Sequence, residues 1–372
     1  MTTFVKTTAL PTHGAVTLPQ RDYVSTAVFR EEQERLFANR WLCIGREEQV
    51  AKPGQYVLVE LGVESLIVVR DRKGTVRALY NVCRHRGTRL CETPCGELSE
   101  TIQCPYHAWT YGLDGRLIGV PDQRELEGFN KADYPLIRAH VAVWEGFLFL
   151  NLADDPEPFE DAFSPLIGRV EKWNLPELRV GRRYEYDVKA NWKLLFQNYS
   201  ECYHCSPLHP SLVKLSPPTS GENDLIEGPI LGGFMTITEQ GGSLTLSGDS
   251  CGVAVGNLSG DDRQRVYYYS IFPNMLLSLH HDYVMVHTFR PVAPDRTHIT
   301  CEFLFHPDTL ANPAFNPDDG AAFWDGVNRE DWHICEMAQA GVQSRAYRPG
   351  PYSRRESLSA AFDRYYLDAM GE

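Results

Sequence analysis

Short apolar runs set between turn residues fill the first half of the chain. Tyr56-Val57-Leu58-Val59-Glu60 and Ser65-Leu66-Ile67-Val68-Val69 have the length and β-branched content of strands, and the second leads into a turn at Asp71-Arg72-Lys73-Gly74. Val76–Val82 predicts a third strand. Trp109-Thr110-Tyr111 with the turn Leu113-Asp114-Gly115-Arg116 predicts a hairpin, and Val141–Leu150 closes a small all-β unit. The acidic, proline-bearing Asp154-Asp155-Pro156-Glu157-Pro158 is the natural boundary after it. Ahead of these strands, Phe29–Trp41 has a helical period, with Phe29, Leu36 and Phe37 on one face and Glu31, Glu32 and Glu34 elsewhere. Beyond the boundary the strand candidates are Arg183–Lys189, Phe234–Thr238, Val266–Ile271, Val284–Phe289 and His298–Phe305. The helices are Trp192–Tyr203 and Ala321–Ser344. Strands segregate from helices without the βαβ alternation of a parallel sheet, so the fold class is α+β. The division that follows is an N-terminal segment (1–40), an all-β domain (41–155) and a mixed domain (156–372), with no internal repeat.

With 372 residues, the chain is long enough for two domains of ordinary size. A net charge of -13 argues against a nucleic-acid partner, because phosphate repels such a surface. The opening Met1-Thr2-Thr3-Phe4-Val5-Lys6 lacks the apolar core of a secretory signal, and nothing approaches the roughly 18 uninterrupted apolar residues of a membrane span. Ten cysteines are too few for a disulfide scaffold and fit a reducing cytoplasm. The expectation is a cytoplasmic protein with neither a membrane nor a nucleic-acid partner.

The candidate chemistry lies in two places. Cys83-Arg84-His85 is followed, after 18 intervening residues, by Cys104-Pro105-Tyr106-His107. Two Cys and two His suit tetrahedral zinc, but a zinc finger keeps like ligands together, as C-x₂₋₄-C and H-x₃₋₅-H. Here each half carries one of each, which suits a [2Fe-2S] cluster with two Cys on one iron and two His on the other, a Rieske cluster. Gly87 and Pro105 beside the ligands give turns that let backbone N–H groups approach sulfides. Position 88 is Thr, where respiratory Rieske proteins carry a further disulfide Cys. Cys91 and Cys95 read as ordinary thiols.

The second place is Asn191–Pro210. On a helix, Asn198, Glu201 and His204 put neighbouring members on a shared face, and Pro207 disfavours helical geometry at Ser206, so the chain turns and returns His209 toward His204. Two imidazoles and a carboxylate on one face of non-haem Fe(II) leave positions open for O₂ chemistry. For the carboxylate, Asp331 ranks first, Glu330 second and Glu336 third. Unaided, this pattern is weak; an electron store upstream gives it a purpose.

Together, Cys83-x-His85…Cys104-x-x-His107 and Asn191-Trp192-Lys193…Glu201-x-x-His204-x₄-His209 resemble the oxygenase components of the Rieske non-haem iron oxygenases, from about Tyr23 to beyond Tyr352. The resemblance implies an all-β Rieske domain beside a helix-grip catalytic domain (antiparallel sheet with a long C-terminal helix), the N-terminal segment packed on the latter, in a homotrimer. It implies Cys83, His85, Cys104 and His107 on the cluster, and His204, His209 and Asp331 on a mononuclear Fe(II). Glu201 matches an acid that bridges an iron-ligand His and a cluster His of the next subunit, His107. The departures are a cluster loop about one residue longer than expected and Gln197, where many members have an acid.

No Gly-rich dinucleotide fingerprint is present, so a separate NAD(P)H-dependent flavin/iron–sulfur reductase is expected to deliver electrons. Ser200-Glu201-Cys202-Tyr203-His204-Cys205 and Cys104–Tyr111 look most like the branch acting on quaternary ammonium compounds: glycine betaine, stachydrine, carnitine and choline. The implied reaction uses O₂ to hydroxylate and N-demethylate a small quaternary amine. Tyr203, Phe234, Tyr267, Tyr269, Phe289 and Trp324 are candidate cation–π walls, each equally readable as β-domain core. The alternatives are an aromatic ring-hydroxylating dioxygenase α subunit and an electron-transfer protein with an inactive second site.

Overall fold

The computed structural model describes residues 3–125 and 127–371. They form two compact units: Phe37–Asp161, and a second in which the N-terminal segment up to Leu36 joins the chain from Ala162 onward. The boundaries at 37 and 161 lie a few residues outside the expected 41 and 155.

In the smaller unit, an antiparallel seven-stranded sheet runs in the order 42–46, 147–151, 138–144, 76–80, 64–70, 55–61, 95–97. A three-stranded sheet, 101–103, 110–112 and 117–119, accompanies it. The continuous apolar run of the strand Glu64–Arg70 has a simple cause: both of its faces are covered. Leu66 and Val68 enter one core, and Ile67 and Val69 enter another that also holds Cys83 and Cys104. The run expected as one element at Val141–Leu150 is a hairpin, Arg138–Trp144 paired with Phe147–Asn151, turning at Glu145-Gly146, where both residues have positive φ. Val76–Val82 stops at Tyr80; the next residue, buried Asn81, still bonds Ser65 O through its backbone N–H (2.8 Å), and its side chain turns to the following loop. It accepts from the N–H of Leu90 and Cys91 (both 2.9 Å) and donates to Cys91 O (2.8 Å), closing the loop that carries Cys83 and His85.

The larger unit is an eight-stranded antiparallel sheet ordered 5–6, 222–225, 230–236, 265–271, 275–279, 284–293, 296–305, 179–188. Helices Trp192–Tyr199, Asp318–Val342 and Ser357–Met370 belong to the same unit. The long helix buries Phe323, Trp324, Val327, Asn328, Trp332, Cys335, Gln339 and Val342, at the spacing of one helical face. The last helix went unread in the sequence. Its run Ser357-Leu358-Ser359-Ala360-Ala361-Phe362-Asp363 is buried almost all round, so it has little polar-to-apolar period to detect. The expected helix Phe29–Trp41 is instead Thr26–Glu32, capped by Ser25, followed by a π-helical turn Gln33–Phe37. Trp192–Tyr203 ends at Tyr199, four residues early.

Two candidate metal centres

The two Cys–His segments of the smaller unit fold as twin loops. In each, the Cys N–H bonds the carbonyl five residues on (Cys83 to Thr88 and Cys104 to Trp109, both 2.8 Å) and the Cys carbonyl accepts from the residue four on (Gly87, 3.0 Å; Ala108, 3.1 Å). That fourth residue is left-handed in both, Gly87 at φ 74° and Ala108 at φ 54°. Glycine adopts this conformation freely; Ala108 adopts it against its Cβ. The result puts both sulfurs inside, each Cys 2% exposed, and both imidazoles outside with ring centroids 4.7 Å apart. Trp109 stacks on His85 at 4.8 Å.

The sulfurs meet hydrogen-bond donors. Burial would raise the Cys104 thiol, but the N–H groups of Tyr106 and His107, with help from Thr88, hold it below its ordinary value. Tyr111 Oη lies 3.3 Å from Cys83 Sγ and 3.0 Å from the Arg84 amide, and burial raises its own pKa. Donors aimed at two facing sulfurs, with two imidazoles on the opposite side, fit a cluster ligated by Cys on one iron and His on the other. Thr88 and Tyr111 belong to this site as partners of the sulfurs, a role the sequence did not reveal.

In the larger unit, Asn191-Trp192-Lys193 anchors the helix that leads to the second centre. Asn191 caps it through the Lys193 N–H (3.0 Å) and donates to Pro294 O (2.6 Å). Lys193 forms a fully buried ion pair with Glu32, which also accepts from Trp192 Nε1 (3.0 Å) and Tyr366 Oη (2.8 Å). The helix gives way at Ser200, whose hydroxyl bonds back to Phe196 O (2.7 Å). Glu201 then caps the N–H groups of Tyr203 and His204, a local bond that competes with continued helix. Pro207 does not make the bend: it sits inside the short helix Cys205–Leu208, in a first turn that needs no N–H from it. Pro210 turns the chain, holding His209 at φ -117°, ψ 69°. Cys202 and Cys205 are joined in a disulfide around His204, a pairing that the expected reducing cytoplasm does not favour; the other eight cysteines are free.

His204, His209 and Asp331 converge, with one ligand-type atom of each within 4.8 Å of the others. Asp331 Oδ1 lies 2.9 Å from His209 Nε2 and 3.3 Å from His204 Nε2. Each imidazole is gripped from behind by another acid: Glu201 at 2.6 Å from His204 Nδ1, and Glu330 at 2.7 Å from His209 Nδ1. Glu330 therefore orients a histidine and is not part of the triad, which corrects its place as second candidate. Glu336, the third, caps the Lys189 N–H (3.0 Å) instead. Asn198 donates to Asp331 (3.1 Å). Burial alone would lower His204, but Asp331 and Glu201 outweigh it and raise the pKa to about 10; His209 is also raised, because Asp331 and Glu330 outweigh its burial. Two Nε2 atoms and a carboxylate, with both Nδ1 atoms held by acids, fit a facial two-His-one-carboxylate iron site.

The triad opens on a cavity of about 1090 Å³, mouth included. Tyr199, Tyr268 and Trp324, from three different elements, face it as a contiguous wall with successive ring centroids 6.0 and 6.3 Å apart. Of the six aromatic candidates, Trp324 and Phe234 line the cavity; Tyr203, Tyr267, Tyr269 and Phe289 do not. The parity of the strand Arg265–Ile271 explains the miss. Its odd residues Tyr267 and Tyr269 turn into the core while Tyr268 and Ser270 face the cavity.

A family model described as "Ring hydroxylating alpha subunit (catalytic domain)" matches residues 175–372, and one described as "Rieske [2Fe-2S] domain" matches residues 40–130. The chain belongs to the Rieske oxygenases. This oxygenase is 30% identical, over 96% of its length and 86% of the relative's, to the glycine betaine monooxygenase oxygenase subunit of Chromohalobacter salexigens. It is 27% identical, over 92% and 75%, to the chloroplastic choline monooxygenase of Spinacia oleracea. Among solved structures it is similar to the quaternary ammonium Rieske monooxygenase CntA in complex with L-carnitine, with 25% identity, 96% of both chains covered and a TM-score of 0.78. As a member of the family, the oxygenase uses a Rieske cluster and a mononuclear iron, takes O₂, and depends on a separate reductase. Among its described residues no helix is long and apolar enough to cross a membrane.

Proposed function

We propose that this oxygenase hydroxylates an N-methyl group of a small quaternary ammonium compound such as glycine betaine. The observation that carries the reading is the aromatic wall Tyr199–Tyr268–Trp324 beside the His204–His209–Asp331 triad, since aromatic faces attract a cation that cannot donate hydrogen bonds. Relatives named for glycine betaine, choline and carnitine support it.

In this reading Cys83, His85, Cys104 and His107 hold the Rieske cluster, and His204, His209 and Asp331 hold Fe(II). The cluster would supply electrons singly and the iron would supply O₂ activation. The protein's own part is placement: the wall seats the ammonium so that one methyl faces the triad, and Glu201 and Glu330 keep both imidazoles aimed. Glu201 takes a further role as the bridge to His107 of the neighbouring subunit in a homotrimer, in the cytoplasm, with electrons from an NAD(P)H-dependent reductase. The product, an N-hydroxymethyl ammonium, loses a proton from its hydroxyl and formaldehyde from nitrogen, which leaves the demethylated tertiary amine. The test is anaerobically purified oxygenase with a surrogate reductase and O₂. Formaldehyde released stoichiometrically from a quaternary amine is expected, whereas diols from arenes with no formaldehyde from amines would overturn the reading.

A further inference from the structure

The cavity described above carries one charge that nothing else uses. Among the described residues Arg355 is the only Lys or Arg that lines it. Its two acids, Glu201 and Asp331, are both committed to imidazoles. Arg355 stands in the turn Arg354–Glu356, fixed by a reciprocal cap in which Ser353 N–H donates to Glu356 (2.8 Å). Among the described residues its guanidinium has no carboxylate partner and stands over the Tyr203 ring, 5.9 Å from its centroid. The residue is exposed, whereas Trp324 at the wall is 5% exposed, so the cation stands at the mouth and the aromatic faces lie inside. Tyr268 adds a second polar atom. Its hydroxyl has no hydrogen-bond partner among the described residues, although its neighbours Tyr199 and Trp324 both have theirs.

We infer that Arg355 is a specificity-determining residue that binds a carboxylate on the substrate, so that the oxygenase selects zwitterionic quaternary amines over carboxylate-free ones. This deepens the proposed function and rests on it. A guanidinium presents a planar fork that matches carboxylate geometry. A zwitterion meets both kinds of group that line the cavity, ammonium on the rings and carboxylate on Arg355. A plain cation such as choline gains only the rings and meets like charge at the mouth, and an uncharged arene gains nothing from Arg355. The solvent-exposed position of Arg355 limits its contribution to about that of one charge-assisted hydrogen bond, roughly tenfold in affinity.

The experiment compares holoenzyme and its Arg355→Gln and Arg355→Lys variants with glycine betaine and with choline. Formaldehyde kinetics and direct binding, followed by Trp fluorescence under anaerobic conditions, are both recorded. The expected result is wild-type preference for glycine betaine. Arg355→Gln should raise its KM and its dissociation constant about tenfold, with kcat within about twofold, and should leave the choline constants level or lower. Arg355→Lys should recover part of the loss. Retained Rieske absorbance and iron content show that the variants are folded. Equal shifts for both amines, or none, would overturn the inference. So would a wild type that demethylates choline in preference to glycine betaine, which leaves the proposed function standing. Formaldehyde from neither amine overturns the inference, and the proposed function falls with it when no quaternary amine of a wider panel releases formaldehyde.

Discussion

Glu330 and Asp331 are neighbours on the helix Asp318–Val342, about 100° apart around its axis, and they reach His209 from opposite sides: Glu330 at Nδ1 (2.7 Å) and Asp331 at Nε2 (2.9 Å). The sequence ranks Asp331, Glu330 and Glu336 in that order as sources of a carboxylate; the direction of each side chain shows what the second and third do instead. The difference is measurable. Glu330→Ala should weaken Fe(II) affinity about 10- to 100-fold, since such supporting acids typically count for that much. Glu336→Ala, which uncaps only the Lys189 amide, should leave it unchanged. Iron titration of the two proteins decides, and equal affinities would remove Glu330 from the site. The residue types of both centres were legible because metals demand particular donors. Their supporting partners, Thr88, Tyr111 and Asn81, were not, because hydrogen-bond donors of that kind occur everywhere in a sequence and acquire meaning only from what they face.

At the level of elements, Gln197 shows how a departure from a family pattern is absorbed. The last helix supplies an acid to the same place: Gln197 Nε2 donates to Asp363 Oδ1 (2.6 Å) and contacts Tyr23 Oη (2.9 Å), while Tyr352 bonds Asp363 Oδ2 (2.6 Å). Burial raises Asp363 to about 7, above its unfolded value, so the folded protein keeps a proton there that the unfolded chain releases. Stability tied to this group is full below about pH 4 and is lost as pH rises through about 7. Gln197→Glu would set a second carboxylate against the first. The variant should lose about 1–3 kcal/mol more stability than wild type at pH 8 and little at pH 5. Denaturant unfolding at both pH values is the check, and curves that run parallel with pH would refute the pairing. This helix was invisible in the sequence for the reason that makes it useful here: a segment buried on nearly every side has lost its periodic signature. The strands of both units were legible, to within a few residues, where turn residues bounded them.

On the scale of the whole molecule, the two centres differ in how they are held. The cluster loops bury both cysteines among a dozen apolar neighbours, whereas the triad faces an open cavity. A ferrous chelator applied anaerobically should therefore take iron from about three to about two per chain, abolishing turnover with the Rieske absorbance intact, and Fe(II) should restore activity. Loss of the absorbance in parallel with the iron would contradict this difference. The cavity also has an insurance that the core lacks. Three tyrosines stand in a row at 267–269, so a one-residue slip of that strand would still deliver a phenol to the substrate. The same slip would drive Tyr268 and Ser270 into the interior in place of Tyr269 and Ile271. An insertion at this point would thus be punished by misfolding well before it altered what the enzyme prefers to bind.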